Sequence, residues 1–223
     1  MQEKKLFTIA VVTLIPLFIL LLIATHVYSR WQSNIFTISK SEVLHIVSDF
    51  ESECDYFNEC HLIPGDILLR KLSTSRTRFL ESFADIYFTH TAMYIGDGKI
   101  IEAIGRERIA SEEIQTIILT DSDWATETLA TWAIIRPNYT PALQTAVITT
   151  LKKIATNDAY RFGFYSPENK RFSCADLLLH QLHENGVISE IDFSQIITPD
   201  YLFWLATEKP SSLQLISYGN TSP

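Results

Sequence analysis

The sequence predicts an α+β fold in which an antiparallel sheet packs on helices, preceded by one N-terminal transmembrane helix. Three patterns lead to this prediction: short apolar runs bounded by turn residues between positions 67 and 135, longer runs with helical spacing between 141 and 207, and an uncharged apolar run near the start. The 223 residues carry three cysteines and a net charge of −8, and their mean hydropathy is +0.10. This composition excludes a disordered chain and a disulfide-dense mini-protein, and its acidity argues against nucleic-acid binding.

The N-terminal apolar run extends from Leu6 to Thr25. A helix of this length spans about 30 Å, the thickness of the hydrocarbon layer, and Tyr28 and Trp31 follow where an interfacial aromatic belt would lie. A cleaved signal peptide is the alternative, but its apolar region is shorter, at about 7–15 residues, and ends at a small-residue cleavage site. We therefore expect an uncleaved membrane anchor over residues 6–28.

The charges before this run predict its orientation. Lys4 and Lys5 precede the run, and the positive-inside rule leaves such a tail, residues 1–5, in the cytoplasm. The rest of the chain would then be exported to a bacterial periplasm, as the domain of a single-pass inner-membrane protein.

Cysteine usage is consistent with export. Cys54 and Cys60 are close enough in sequence to close a short disulfide loop, which is the default expectation in an oxidising compartment. Two free thiols are one alternative, and a metal site that includes His61 is another, although zinc prefers four ligands and only three candidates cluster here. No cofactor is indicated. Cys174 then has no cysteine left to pair with, which makes it a candidate reactive thiol in an exported protein.

The exported part is expected to contain one domain. Residues 29–60 form a linker with a helix near 41–50, residues 61–208 form the domain, and residues 209–223 form a polar tail. The predicted strands cover residues 67–70, 91–95, 99–103, 114–119 and 130–135, and the predicted helices cover residues 141–155, 172–184 and 199–207.

Cys174 lies in the first turn of the helix predicted over residues 172–184. The free N–H groups and the dipole of a helix N-terminus favour a thiolate, and the same N–H groups can hold an oxyanion. This position therefore suits a nucleophile. The alternative is a buried structural cysteine, since Cys is among the most buried residue types.

His90 and Glu102 lie on the two strands of a predicted hairpin with a loop at 96–98. An acid within an apolar strand is costly to bury unless it is paired. A three-residue loop would pair Ala92 with Glu102 and place His90 on the same face, whereas a two-residue turn would place His90 and Glu102 on opposite faces. In the first register, Glu102 could hold one imidazole nitrogen while the other nitrogen takes a proton from Cys174.

Several segments, in a fixed order, give the chain a family resemblance. Along the chain they are PGDILL, HTAMYIGDGKIIEA, WAIIRP, FSCADLLLHQL and ITPDYLF. The second segment resembles the central hairpin of the NlpC-type papain-fold hydrolases, but here the candidate cysteine follows the histidine. This order, over roughly residues 62–205, resembles the circularly permuted papain-like amidases of the YiiX/YaeF type.

The resemblance implies a permuted papain-like fold with Cys174 as nucleophile, His90 as base and Glu102 as orienting residue. It implies a membrane-anchored cysteine hydrolase, an amidase or peptidase that forms an acyl-enzyme, with an amide such as a cell-wall peptide as substrate. One alternative is a lipid-directed acyltransferase or thioesterase on the same fold. Another is a non-catalytic anchored binding module, in which Cys174 would lie far from His90.

Other candidate residues have structural explanations. His180 and His183 are three residues apart on a predicted helix, but no third metal ligand is evident. Asp66 follows Pro-Gly at a turn, and Asp176 favours a helix N-terminus electrostatically. The aromatic segment 160–165 lines a cleft or belongs to the core.

Overall fold

The computed structural model describes residues 17–30, 34–71, 85–106, 111–122, 124, 131–157, 159–163, 165–189 and 191–220. The chain divides into two compact units, Met1–Ile35 and Phe36–Pro223. All of the candidate catalytic residues lie in the second unit.

The transmembrane helix expected over residues 6–28 is a wrong prediction. In the part of the chain that the structure describes, no helix is both long enough and apolar enough to cross a membrane. Residues 1–16 lie outside the described residues. The single-pass inner-membrane location, with a cytoplasmic tail and a periplasmic domain, was inferred from this helix and is overturned with it.

The second unit is organised around an antiparallel sheet. Its strands are β1 (Ile67–Arg70), β2 (His90–Gly96), β3 (Lys99–Arg106), β4 (Ser111–Ile118), β5 (Thr131–Pro137) and, at the end of the chain, β8 (Leu213–Asn220). Their order across the sheet is β4-β3-β2-β1-β5-β8, and every neighbouring pair runs antiparallel. Two short strands, β6 (Arg161–Phe162) and β7 (Arg171–Phe172), form a separate parallel pair.

The helices of this unit begin at residues that are suited to capping. They are α1 (Lys40–Val47), α2 (Pro141–Ala155), α3 (Cys174–Glu184) and α4 (Pro199–Glu208). Ser39, Thr140 and Ser173 precede the first three helices, and the side-chain oxygen of each accepts a backbone N–H of the first turn. These bonds satisfy N–H groups that have no partner within the helix, and so fix where each helix starts.

The sheet buries a core on each face because side chains alternate along a strand. Ile67 and Leu69 of β1 belong to the core that also contains the buried residues of α2, α3 and α4. Leu68, which lies between them, belongs to the other core, together with Trp124 and Trp132. The architecture is therefore α+β, with an antiparallel sheet packed on helices.

The segment 209–223, which we expected to be a polar tail, contains strand β8 at the edge of the sheet. Leu213 and Leu215 are buried while Gln214 between them is exposed, as expected for a strand with one buried face. The strand forms because its partner, β5, presents a free edge about 80 residues earlier in the chain. The end expected for the domain, at residue 208, therefore does not coincide with the end of the sheet.

Asp200, in the first turn of α4, connects α4 through hydrogen bonds to the chain just before β2 and to the segment at Ile38. Its fully buried carboxylate accepts backbone N–H bonds from Ile38 (3.3 Å), Tyr87 (2.9 Å) and Phe88 (2.7 Å). Burial raises the pKa of Asp200 to about 7, and these backbone hydrogen bonds oppose the rise. The carboxylate thus holds the main chain immediately before His90.

Candidate active site

The hairpin formed by β2 and β3 has the register that brings its polar residues together. Ala92 pairs with Glu102, and a bulge between Tyr94 and Gly96 shifts the register near the turn. Since His90 lies two residues before Ala92, His90 and Glu102 project from the same face of the hairpin. The register is the one expected from a three-residue loop, and the bulge produces it.

His90 and Glu102 form a buried pair. The distance from His90 Nε2 to Glu102 Oε2 is 2.8 Å, and each residue is only 4% exposed. Because Nε2 is engaged by the carboxylate, Nδ1 is the ring nitrogen left for a second partner.

Two further side chains hold the carboxylate of Glu102. Gln115 Nε2 donates to Oε1 at 2.8 Å, and Trp124 Nε1 donates to Oε2 at 3.2 Å. Burial raises the pKa of Glu102, but the hydrogen bond and charge of His90 and the bonds from Gln115 and Trp124 outweigh burial and lower the pKa to about 2. Glu102 is therefore a fixed negative charge with both oxygens engaged.

Sequence reasoning missed Gln115 and Trp124. Gln115 could have been predicted, because β3 and β4 pair along their whole length and place Gln115 directly opposite Glu102. An alignment of the two strands would have found it. Trp124 lies outside the strands, where no periodic pattern marks its position.

Trp124 also covers the buried pair. Its ring centroid lies 5.8 Å from that of His90, and the guanidinium carbon of Arg70 lies 4.4 Å from the Trp124 ring centroid. Arg70 and Trp124 are 2% and 1% exposed, respectively. The His90–Glu102 hydrogen bond is thus shielded from water, which strengthens it electrostatically.

Cys174 is the first residue of α3, which begins two residues later than predicted, and it lies in the first turn as expected. Ser173 and Asp176 form a capping box: Ser173 Oγ accepts from Asp176 N at 3.1 Å, and Asp176 Oδ2 accepts from Ser173 N at 3.3 Å. The box orients the first turn, where the N–H groups of Cys174 and Ala175 precede the first intrahelical donor. The thiol is free and 7% exposed.

Cys174 lies close enough to His90 to act on its pKa, so the three residues expected from the sequence lie near one another. Burial lowers the pKa of His90, but the interactions with Cys174 and Glu102 outweigh burial and raise the pKa to about 9. The imidazole is therefore protonated at neutral pH. An imidazolium beside a thiol favours the thiolate, which is the nucleophilic form.

Cys54 and Cys60 are joined by a disulfide, with their Cα atoms 5.2 Å apart. Neither thiol is then available for the alternative metal site with His61. Within the described ranges, no group of three His, Cys, Asp or Glu side chains is placed to hold a metal ion.

The remaining candidate residues have structural partners. His180 Nδ1 lies 3.3 Å from the Tyr165 hydroxyl, and His183 Nδ1 lies 3.2 Å from the carbonyl oxygen of Ile188. Asp66 is fully buried and accepts from Arg136 Nε at 2.8 Å and from Arg136 Nη2 at 2.9 Å. Asp66 therefore forms an ion pair with the partly exposed Arg136, in addition to the turn expected from the sequence.

Comparisons with known proteins give little further information. No protein-family model matches the chain, and no curated protein matches it. Among solved structures, the chain is similar to the crystal structure of the metalloprotein yiiX from Escherichia coli O157:H7 (DUF1105), with 15% identity over 69% of this chain and 87% of that chain, and a TM-score of 0.43. A similarity at this level carries no argument about function, and the permuted papain-like assignment stays a prediction.

Proposed function

We propose that this protein is a cysteine-dependent hydrolase that cleaves an amide bond through an acyl-enzyme. The observation that carries the proposal is the buried hydrogen bond between His90 and Glu102, with Cys174 close enough to His90 to raise the pKa of the imidazole. A nucleophile, a base and a group that orients the base are the parts that covalent acyl transfer needs.

In the proposed mechanism, the Cys174 sulfur attacks the substrate carbonyl carbon while His90 holds the thiol proton. The carbonyl oxygen becomes an oxyanion and accepts N–H bonds from the first turn of α3, including that of Cys174. The carbon–nitrogen bond then breaks, and His90 donates its proton to the leaving amine. A water molecule, deprotonated by His90, attacks the thioester, which releases a carboxylic acid and regenerates the thiol.

Glu102 is a positioning residue in this mechanism. It holds Nε2 of His90, which directs Nδ1 to the thiol and stabilises the imidazolium. Gln115 and Trp124 in turn fix both carboxylate oxygens.

The proximity of Cys174 to His90 favours this proposal over the non-catalytic alternative, in which Cys174 would lie far from His90. The lipid-directed alternative came from the resemblance, and the expected membrane anchor supported it. No observation in the described structure favours it over amide hydrolysis.

The test is a reaction with p-nitrophenyl acetate, an activated acyl donor. We expect a burst of p-nitrophenol and an acetyl group on Cys174, located by mass spectrometry of the digested protein. Cys174→Ser and His90→Ala should lose both signals. His45→Ala, which changes an exposed histidine on α1, should retain them. Acetylation that is spread over lysines, with none on Cys174, would contradict the proposal.

A further inference from the structure

The disulfide loop, residues 54–60, packs on the sheet face that carries His90. Between its two cysteines, Phe57 is buried at 9% exposure, and the other four residues are exposed. Phe57 belongs to the same core as Ala92 of β2. Because Ala92 and His90 are two residues apart on one strand, they share a face of the sheet. The loop therefore places a buried ring on the side of the sheet from which the candidate base projects.

Phe57 contacts two buried tryptophan rings. The distance between ring centroids is 6.1 Å to Trp124 and 5.6 Å to Trp132, both within the range of direct aromatic contact. Trp132 is fixed, because it lies within β5 and its ring packs against the main chain of Gly219 in β8. Trp124 lies outside the strands, so sheet hydrogen bonds do not fix it. Phe57 thus supports the less constrained of the two rings.

Trp124 connects this support to the candidate site. Its Nε1 donates to Glu102 Oε2 at 3.2 Å, and its ring centroid lies 5.8 Å from that of His90. A displaced Trp124 would remove one donor from a buried carboxylate and admit water to the His90–Glu102 pair, which weakens their hydrogen bond. The packing of Phe57 therefore affects how firmly Glu102 holds the imidazole.

The disulfide closes the loop on which Phe57 lies. Cys54 and Cys60 are bonded, with their Cα atoms 5.2 Å apart. The hydrogen bond from Cys60 N to the carbonyl oxygen of Phe57, at 3.3 Å, lies within the loop and does not attach it to the sheet. A cross-link removes most of the conformations that a short loop would otherwise sample. Opening the disulfide should therefore allow Phe57 to leave the two tryptophans.

The chain on both sides of the loop is attached to the sheet independently of the disulfide. Before the loop, Glu53 N donates to the carbonyl oxygen of Ile216 in β8 at 3.2 Å. After it, the carbonyl oxygen of His61 accepts from Arg136 Nη2 at 3.4 Å. Both bonded cysteines are partly exposed, so a small thiol can attack them. Reduction should therefore loosen the loop without detaching the segments that flank it.

We propose that Phe57 is a positioning residue of the candidate active site, and that the Cys54–Cys60 disulfide holds it there. Reduction of the disulfide then releases Phe57, loosens Trp124 from Glu102 and lowers the activity of the site. A dithiol such as dithiothreitol supplies two electrons and two protons, so the S–S bond becomes two thiols and the reductant becomes a cyclic disulfide. The effect on activity rests on the proposed function, whereas the effect on Trp124 does not.

The first experiment measures how fast the indole N–H of Trp124 exchanges with water, by NMR of the full chain. The chain has four tryptophans, and the resonance that is missing in Trp124→Phe identifies this one. Reduction with dithiothreitol should accelerate the exchange about tenfold or more, the order expected for losing one hydrogen bond to a charged group. An unchanged exchange rate, in protein whose disulfide is shown by mass spectrometry to be open, would overturn the proposal.

Variants of the loop test whether the effect passes through Phe57. Phe57→Ala, with the disulfide intact, should accelerate the exchange as reduction does, and Phe57→Leu should restore most of the protection because it keeps apolar volume. Tyr56→Ala is the matched control, since Tyr56 is the neighbouring aromatic residue and is 58% exposed. It should leave the exchange unchanged. Reduction of Phe57→Ala should add little, and effects that multiply would contradict this route.

The second experiment measures the rate of the p-nitrophenol burst with p-nitrophenyl acetate. In the double variant Cys54→Ser, Cys60→Ser, Cys174 is the remaining cysteine. The burst rate should fall about three- to tenfold, less than the 10²–10⁴-fold expected from removing a base outright. Phe57→Ala should show the same decrease and keeps the test valid if the double variant does not fold. Tyr56→Ala should keep the wild-type rate. A burst rate that neither change lowers would overturn the link to activity.

Failure of the proposed function gives a different result. The oxidised wild-type protein would then show no burst from Cys174, while the exchange of the Trp124 indole proton would still respond to reduction. A normal burst together with an indole proton that does not respond would overturn the positioning role alone.

Discussion

Glu102 is the residue on which the electrostatics of the candidate site depend. Its carboxylate is buried, yet three donors engage it, from His90, Gln115 and Trp124. A buried charge with this many hydrogen bonds stays ionised, and it stabilises the protonated form of the imidazole that it holds. Burial lowers the pKa of His90, but Cys174 and then Glu102 raise it to about 9, while His90, Gln115 and Trp124 overcome the effect of burial on Glu102 and lower its pKa to about 2.

Replacement of Glu102 by Gln should lower the pKa of His90 from about 9, because the negative charge beside the imidazolium is lost. An NMR titration of the imidazole resonances measures this value directly. Glu59→Gln, which changes an exposed acid elsewhere, is the control and should leave the titration unchanged. An unchanged His90 titration in Glu102→Gln would mean that the carboxylate does not act on the imidazole.

The same pair should make stability depend on pH. The raised pKa of His90 gives a contribution that is complete below its ordinary value of 6.5 and is lost as the pH rises through about 9. The lowered pKa of Glu102 gives a contribution that is complete above 4.5 and is lost as the pH falls through about 2. We therefore expect the pair to stabilise the fold most between pH 4.5 and 6.5.

A double-mutant cycle with His90→Asn and Glu102→Gln, followed by urea unfolding, isolates this coupling. The coupling free energy should be larger at about pH 5.5 than above pH 9. A coupling that grows toward alkaline pH would contradict the assigned directions of the pKa shifts.

At the scale of the elements, the N-terminus of α3 sets the position of the thiol. Ser173 and Asp176 close a capping box around the first turn, and Ser39 and Glu42 close the same motif at α1. The two boxes therefore allow a matched comparison between a helix that carries the nucleophile and one that does not.

Ser173→Ala and Ser39→Ala should each lower the free energy of unfolding by about 1 kcal/mol, the usual effect of losing an N-cap. Only Ser173→Ala should also slow the alkylation of Cys174, because the first turn that carries the thiol loses its fixed geometry. Equal alkylation rates in the two variants would show that the box has no part in positioning the nucleophile.

Asp200, in α4, holds the segment at Ile38 and the main chain just before β2. In Asp200→Ala, the buried N–H groups of Ile38, Tyr87 and Phe88 lose their acceptor. Each unsatisfied buried group costs about 1–3 kcal/mol, so we expect a loss of about 3 kcal/mol or more in urea unfolding. Asp192→Ala, at an exposed acid, should cost less than about 1 kcal/mol. Similar losses in the two variants would contradict this account of Asp200.

At the scale of the whole molecule, most strand and helix positions could be predicted from local patterns in the sequence. The helix at 141–155 follows from a proline at its start and apolar residues at helical spacing, and the hairpin from its glycine-rich turn. The positions of His90, Glu102 and Cys174 followed from the same local rules, because each lies at a defined place in such an element.

What the sequence did not predict depends on contacts between distant segments. Strand β8 contains Gln214, Ser217 and Asn220 among its apolar residues and lacks a regular alternation, and its pairing with β5 makes it part of the sheet. Trp124 reaches Glu102 from a segment without periodicity. The expected transmembrane helix came from an apolar run with its flanking residues, and among the described residues no helix is long and apolar enough to cross a membrane.

The most direct test of the central claim is the rate at which iodoacetamide alkylates Cys174 near pH 7. In the oxidised protein the other two cysteines form a disulfide, so the reagent reports on this thiol. We predict a rate about tenfold above that of a free thiol, which is only a few per cent ionised at this pH, and a loss of that advantage in His90→Ala but not in His45→Ala. A rate equal to that of a free thiol, unchanged in His90→Ala, would contradict a nucleophile activated by His90.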